Sequence, residues 1–175
     1  VNIEIKVSMN GEVQSSFNES IIVGEPSAIL EYGFEDFQEL LDWSFEGDSD
    51  WFVTQSSSSL GFSSLRSGEI GDNQESVASI AFDAPSASVL EFSYRVSSEY
   101  SPSGTNFYDG LSFYVDNQLI DQFQTNSDGT SPWIYFTIPI EVGQHSVQFI
   151  YSKDGGGGGT DCSNTGCDDA SFIDD

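Results

Sequence analysis

The segment Lys153–Asp175, KDGGGGGTDCSNTGCDDASFIDD, sets five glycines ahead of two cysteines, with five aspartates after Gly159. Carboxylates are hard oxygen ligands. Calcium takes about six to eight such oxygens from carboxylates and backbone carbonyls. A glycine run lets the chain turn its carbonyls freely, because glycine tolerates positive φ. Asp48 and Asp50, in GDSDW, add carboxylates from an earlier loop. No stretch has the spacing of a regular EF-hand loop. The competing interpretation makes these aspartates turn formers and loop solubilisers. The two cysteines, Cys162 and Cys167, stand in CSNTGC. With His145 as the lone histidine they supply too few ligands for zinc. Their spacing also departs from the C-x-x-C redox pattern. A short-loop disulfide, formed outside the reducing cytosol, fits them best.

Catalytic constellations are thin. His145 opens a strand and reads as a strand-end residue. GFSSL lacks the final glycine of the G-x-S-x-G elbow, and the GGGGG run lacks the Lys-Ser/Thr ending of a phosphate loop. Composition leaves a two-carboxylate glycosidase open, since acids are everywhere. The expectation is a protein that is not an enzyme. Glycan sites use exposed aromatic rings with nearby amide and carboxylate groups. Trp51, Tyr100 and Tyr108 are the candidates, Tyr100 and Tyr108 because they flank the polar loop SPSGTNF. Trp43 and Trp133 have apolar neighbours and read as core. Arg66 is expected to hold a carboxylate through its planar fork. Arg95 falls on the polar face of its strand and is expected to make a structural pair.

Charge narrows the setting. Twenty-nine acids face four bases, for a formal charge of −25. Nucleic acid and anionic lipid surfaces need basic clusters, which this chain lacks. Self-repulsion on this scale calls for screening salt or bound cations. A salty or calcium-rich medium supplies both. No run approaches the ~18 apolar residues of a membrane helix, so direct membrane insertion is not expected. The chain reads as a piece of a longer protein.

Strand patterning dominates the elements that must position these groups. Val1, Ile3, Ile5, Val7 and Met9 alternate with polar residues. Asn10-Gly11 reads as a hairpin turn, with a return strand from Glu12 towards Val23. Two strands hold no core alone, so residues 1–26 read as a β-hairpin at the tail of an upstream β domain. Residues 27–175 form the second unit. Ile29–Glu35 reads as its opening strand and Phe37–Leu41 as a helical turn. Further strands are predicted at Val77–Phe82, Val89–Ser97, Leu111–Val115, Leu119–Phe123, Trp133–Ile140 and His145–Tyr151. Another is expected around Phe172-Ile173. Trp133–Ile140 is apolar on both faces and reads as a covered central strand. Eight or nine short strands separated by Gly, Ser and Asp point to an all-β antiparallel two-sheet sandwich.

The order of motifs carries a resemblance. It runs YGFED, LDWSFEGDSDWFV, SSLRSGEIGDNQES, LEFSYRVSSEY, YDGLSFYVDNQ, PWIYFTI, VGQHSVQFIYSKD and DDASFIDD. Over roughly residues 28–175 this resembles the MAM-like, concanavalin-like jelly-roll modules of large secreted or surface bacterial proteins, many of them marine. The resemblance implies an extracellular or cell-surface address at high salt. It also implies a calcium site where the early Phe-Glu glutamate, Glu35, meets the terminal aspartates Asp169 and Asp175. Asp50 is a further candidate ligand. Strand alternation sends Asp174 and Asp175 to opposite faces, and the resemblance selects Asp175. The extended cysteine framework of animal MAM domains is missing. The expected function is a non-catalytic, calcium-stabilised module for adhesion or glycan binding, with neighbouring domains and glycans as partners. The rivals are a structural spacer or fibre subunit without ligand, and an accessory domain of a secreted hydrolase.

Overall fold

The computed structural model describes residues 2–9, 12–20, 30–101, 106–125, 129–156, 162 and 167–175. The chain divides into two compact units, Val1–Leu30 and Glu31–Asp175. The predicted boundary at residues 26 and 27 lies outside the described residues. In the first unit β1 (Asn2–Met9) and β2 (Glu12–Ser20) pair antiparallel.

The second unit is an all-β sandwich of two antiparallel five-stranded sheets. Its strands are β3 (Ser44–Gly47), β4 (Phe52–Thr54), β5 (Ser64–Arg66), β6 (Glu75–Ala84) and β7 (Ser88–Ser97). They continue with β8 (Gly110–Val115), β9 (Gln118–Phe123), β10 (Ile134–Ile140), β11 (Gly143–Ser152) and β12 (Ala170–Asp174). One sheet has the order β10-β7-β12-β5-β4 and the other β3-β6-β11-β8-β9. The closing strand β12 is thus central, between β5 and β7. Rings from the two sheets interlock between them: Phe92 of β7 lies 4.9 Å from both Phe113 of β8 and Phe149 of β11, and Tyr94 stacks on Phe123 at 4.0 Å.

The long strands match the alternation in the sequence, and the expected helical turn is present; two other features differ. Residues 30–35 of the expected opening strand form no strand, because Phe34 turns to φ 55°. The helical turn is a 3-10 helix, Phe37–Asp42, held by a capping box. Asp36 accepts from the Gln38 N–H at 2.9 Å while the Glu39 carboxylate reaches back to the Asp36 N–H. β10 is an edge strand rather than a covered central one, with Tyr135 59% exposed.

Candidate functional site

Along β12, Ile173 points into the core, whereas Phe172 and Asp174 face away from it. The chain then delivers Asp175 to an open cleft of about 400 Å³ lined by Glu31, Gly33, Glu35, Glu39, Leu60, Gly61 and Asp175. Four of those seven residues are acids and none is a base. Each wall has a local cause. Glu39 is fixed by accepting the Phe34 N–H through Oε2 at 2.7 Å. Glu35 accepts the N–H groups of Phe62 and Ser63 through Oε1 alone, at 2.6 and 2.9 Å. Gly61 adopts φ +66°, and a Cβ there would stand 2.2 Å from Glu35 Oε1, so only glycine leaves room for the carboxylate. Asp175 is anchored by its carbonyl, which accepts from the Ser93 N–H at 2.9 Å. Burial raises the pKa of the Asp175 carboxyl, and the charges of Glu31 and Glu35 raise it further. Like charges are therefore close enough to feel one another with no counterion among the lining residues.

Asp174 has a different task. It is buried, and its Oδ2 accepts from the Ser59 and Leu60 N–H groups at 2.6 and 3.1 Å. Burial pushes its pKa up, opposed by those backbone N–H donors. Glu35 and Asp174 thus fasten the 55–63 loop at two points, a role that the sequence reading did not find.

The four predicted metal ligands do not come together. Glu35 and Asp175 share the cleft. Asp169, though, lies six residues from Asp175 across β12, about 20 Å away along an extended strand. There it accepts from the Tyr151 hydroxyl at 2.9 Å and pairs with Lys153. Asp50 is exposed in the turn between β3 and β4. Neighbouring Asp48 is occupied with the Glu75 N–H at 3.0 Å.

A second group of carboxylates sits near Asp169. Glu99, Asp109 and Asp154 place their oxygens within 4.8 Å of one another, the one such trio among the described residues. Asp109 is 3% exposed and accepts the Asp154 N–H at 3.0 Å. Burial lifts its carboxyl to about 6, against the pull of that N–H and of Lys153 Nζ at 4.0 Å. Folding alone brings together Glu99 and Asp109, from the two ends of the β7–β8 connection, and Asp154, from beyond β11, so no local spacing marks the cluster.

The aromatic candidates fare unevenly. Trp51 is 2% exposed and belongs to the core cluster, so its ring cannot meet a sugar face. Tyr100 and Tyr108 are half-buried, and the Tyr108 hydroxyl accepts from Asn106 Nδ2 at 3.2 Å. The loop tip between them, residues 102–105, lies outside the described residues. Arg95 pairs with Asp168 at 3.3 Å. Among the described residues Arg66 holds no carboxylate, contrary to expectation, and it donates to the carbonyls of Ser67 and Asp168 at 3.3 and 3.1 Å. Cys162 and Cys167 form a disulfide. Most of the loop around it, residues 157–161 and 163–166, lies outside the described residues.

Solved structures share this fold, two of them as follows. The secreted serine protease VesC from Vibrio cholerae matches with a TM-score of 0.51 at 19% identity, over 77% of this chain and 24% of the protease. TmCBM61, solved in complex with beta-1,4-galactotriose, matches with a TM-score of 0.51 at 13% identity, over 83% of this chain and 90% of that one. The chain therefore spans about a quarter of the protease and nearly all of TmCBM61. No family model and no curated protein matches the sequence. At these identities the likeness is one of fold. No helix among the described residues is long and apolar enough to cross a membrane.

Proposed function

We propose that Glu31–Asp175 is a non-catalytic, calcium-stabilised glycan-binding module of a larger secreted or surface protein. The observation that carries the metal is the cleft in which Glu31, Glu35, Glu39 and Asp175 converge without a base. An all-oxygen donor set suits calcium better than a transition metal. Glu35 commits one oxygen to backbone N–H groups and leaves the other for an ion. Bound there, the ion would neutralise charge that now raises the Asp175 pKa and would join the segment before the 3-10 helix to the end of β12. The glycan half of the reading is supported by the fold shared with TmCBM61 and its galactotriose. The secreted setting is supported by the fold shared with VesC and by an acid balance suited to salty media. Kinship with MAM-like modules, implied by the order of motifs, belongs to the same reading.

Two measurements test it. Calcium at about 100 times its Kd should stabilise the chain by about 2.7 kcal/mol over the chelated protein. Glu35→Gln should abolish that gain and Asp109→Asn should not. A melting temperature indifferent to chelator sinks the metal reading, and loss of the gain in Asp109→Asn alone moves the ion to the other trio. A glycan array probed in calcium tests the second half; a blank array would favour a structural spacer.

A further inference from the structure

The outward face of the β10-β7-β12-β5-β4 sheet carries one continuous row of side chains. Phe52 of β4 stands opposite Arg66 of β5, Arg66 opposite Phe172 of β12, and Phe172 opposite Arg95 of β7. Trp133, immediately before β10, completes the row: its indole N–H and Arg95 Nη1 both donate to Ser57 Oγ, at 3.2 and 2.6 Å. Ring and cation thus alternate across all five strands. The Arg66 guanidinium carbon lies 5.3 Å from the Phe52 ring centre and 5.9 Å from that of Phe172, and the Arg95 carbon lies 5.3 Å from Phe172. Phe172, fully buried, is the floor on which both guanidinium groups rest.

The two cations differ in one respect. Asp168 compensates Arg95. Arg66 is half-buried, and among the described residues it makes no ion pair; its contacts are two backbone carbonyls and two rings. A guanidinium has five N–H donors in a fixed fork that matches a carboxylate or sulfate. In a chain with 29 acids and four bases, an arginine held in place by rings yet left without a carboxylate is available for an anion from outside. The face also offers apolar surface. Phe52 is 41% exposed, and Tyr135, two positions from Trp133 on the same side of the sheet, is 59% exposed. Four strand spacings make the row about 19 Å long, enough for several sugar rings. Two acids share this face with the row: Asp174 is already spent on the N–H groups of the 55–63 loop, and Glu91, four residues before Arg95 on β7, accepts from the Tyr135 hydroxyl.

We propose that this face binds an anionic glycan, its carboxylate or sulfate paired with Arg66 and its sugar rings laid along the Phe52–Trp133 row. The proposal rests on the glycan-binding reading and names the ligand class and its site. Calorimetry on the full chain in calcium should compare trigalacturonate, a sulfated galactan trisaccharide and neutral beta-1,4-galactotriose. At least one anionic probe should bind about tenfold or more tighter than the neutral one, as a charge-assisted bidentate contact allows. The arm that binds tells carboxylate from sulfate. Arg66→Met should remove the advantage, and Arg66→Lys should restore little of it. In the unaltered protein the tighter probe should shield Arg66 from an arginine-specific dicarbonyl reagent, a readout that does not depend on a variant folding. Equal binding of neutral and anionic probes, or unshielded Arg66, overturns the proposal and leaves glycan binding standing. Failure of all three probes together with a blank array overturns both.

Discussion

Asp109 offers the sharpest test of the electrostatics. Its carboxyl is 3% exposed, and burial lifts its pKa from the ordinary 3.8 to about 6. The folded state therefore holds its proton more tightly than the unfolded chain does. Wild-type stability should fall as pH rises between those two values and stay low above them. At about 1.4 kcal/mol per pH unit the full cost is about 3 kcal/mol above about pH 7 and roughly half that near pH 5. Asp109→Asn removes the ionisation. Its amide oxygen can still accept the Asp154 N–H that Asp109 accepts at 3.0 Å. The variant should be more stable than wild type by about 3 kcal/mol at about pH 8, shrinking to about half near pH 5. The assay is urea unfolding in chelator, so that no cation compensates the Glu99–Asp109–Asp154 trio, and at pH values above the pI of about 4.1. A variant less stable than wild type near pH 8, or a difference that does not change with pH, would refute the reasoning.

Two further outcomes follow from single contacts. Asp174→Ala strips the acceptor from the Ser59 and Leu60 N–H groups and should cost about 1–3 kcal/mol; amide exchange at those two positions should quicken, and unchanged exchange would contradict the clasp. His145 Nδ1 lies 2.8 Å from Asp116, and this hydrogen bond, with a second that Nε2 makes to the Glu141 carbonyl, raises the imidazole pKa above 6.5. The protonated pair is thus a stabilising contact that is complete below 6.5 and lost as pH rises through the raised value; an NMR titration should place His145 above 6.5 and drop it in Asp116→Asn.

The parts of the fold that the sequence disclosed are those where period-2 alternation runs long enough to read. Leu90, Phe92, Tyr94 and Val96 expose β7 at once. β3, β4 and β5 have three or four residues each, too few to alternate visibly among Ser, Gly and Asp. The edge position of β10 was legible after all: Pro139 has no N–H to give a central ladder. So was the separation of Asp169 from Asp175, since any strand between them holds them about 20 Å apart. Tertiary placement was not legible. Trp51 carries no local mark of burial, and the acids of the Asp109 trio come from two loops, Glu99 and Asp109 from opposite ends of the β7–β8 connection and Asp154 from beyond β11. The Phe52–Trp133 row depends on the register of four strand pairings, which no stretch of one strand encodes. Arg66 defied expectation for a similar reason: the sequence shows a scarce cation among many acids, but only the sheet shows that rings, rather than a carboxylate, hold it.

The 55–63 loop touches both proposed sites, and from this comes a last expectation. At one side its Phe62 and Ser63 N–H groups bind Glu35, which lines the acidic cleft. At the other, Ser57 Oγ receives Arg95 and Trp133, the far end of the aromatic–cation row. Between them Asp174 holds Ser59 and Leu60. An ion that fixes Glu35 therefore also fixes the loop that braces Trp133. Ordering entropy spent on the loop by calcium need not be spent again by the glycan, so the two ligands should bind cooperatively. Linkage requires the effect to be reciprocal: if calcium tightens trigalacturonate binding by some factor, trigalacturonate must tighten calcium binding by the same factor. A coupling of about 1 kcal/mol, roughly fivefold, is the size to look for, and Asp174→Ala should reduce it by cutting the loop between the two anchors. Calorimetry of each ligand with and without the other measures both sides of the cycle. Equal glycan affinity in calcium and in chelator would show that the loop does not connect the sites.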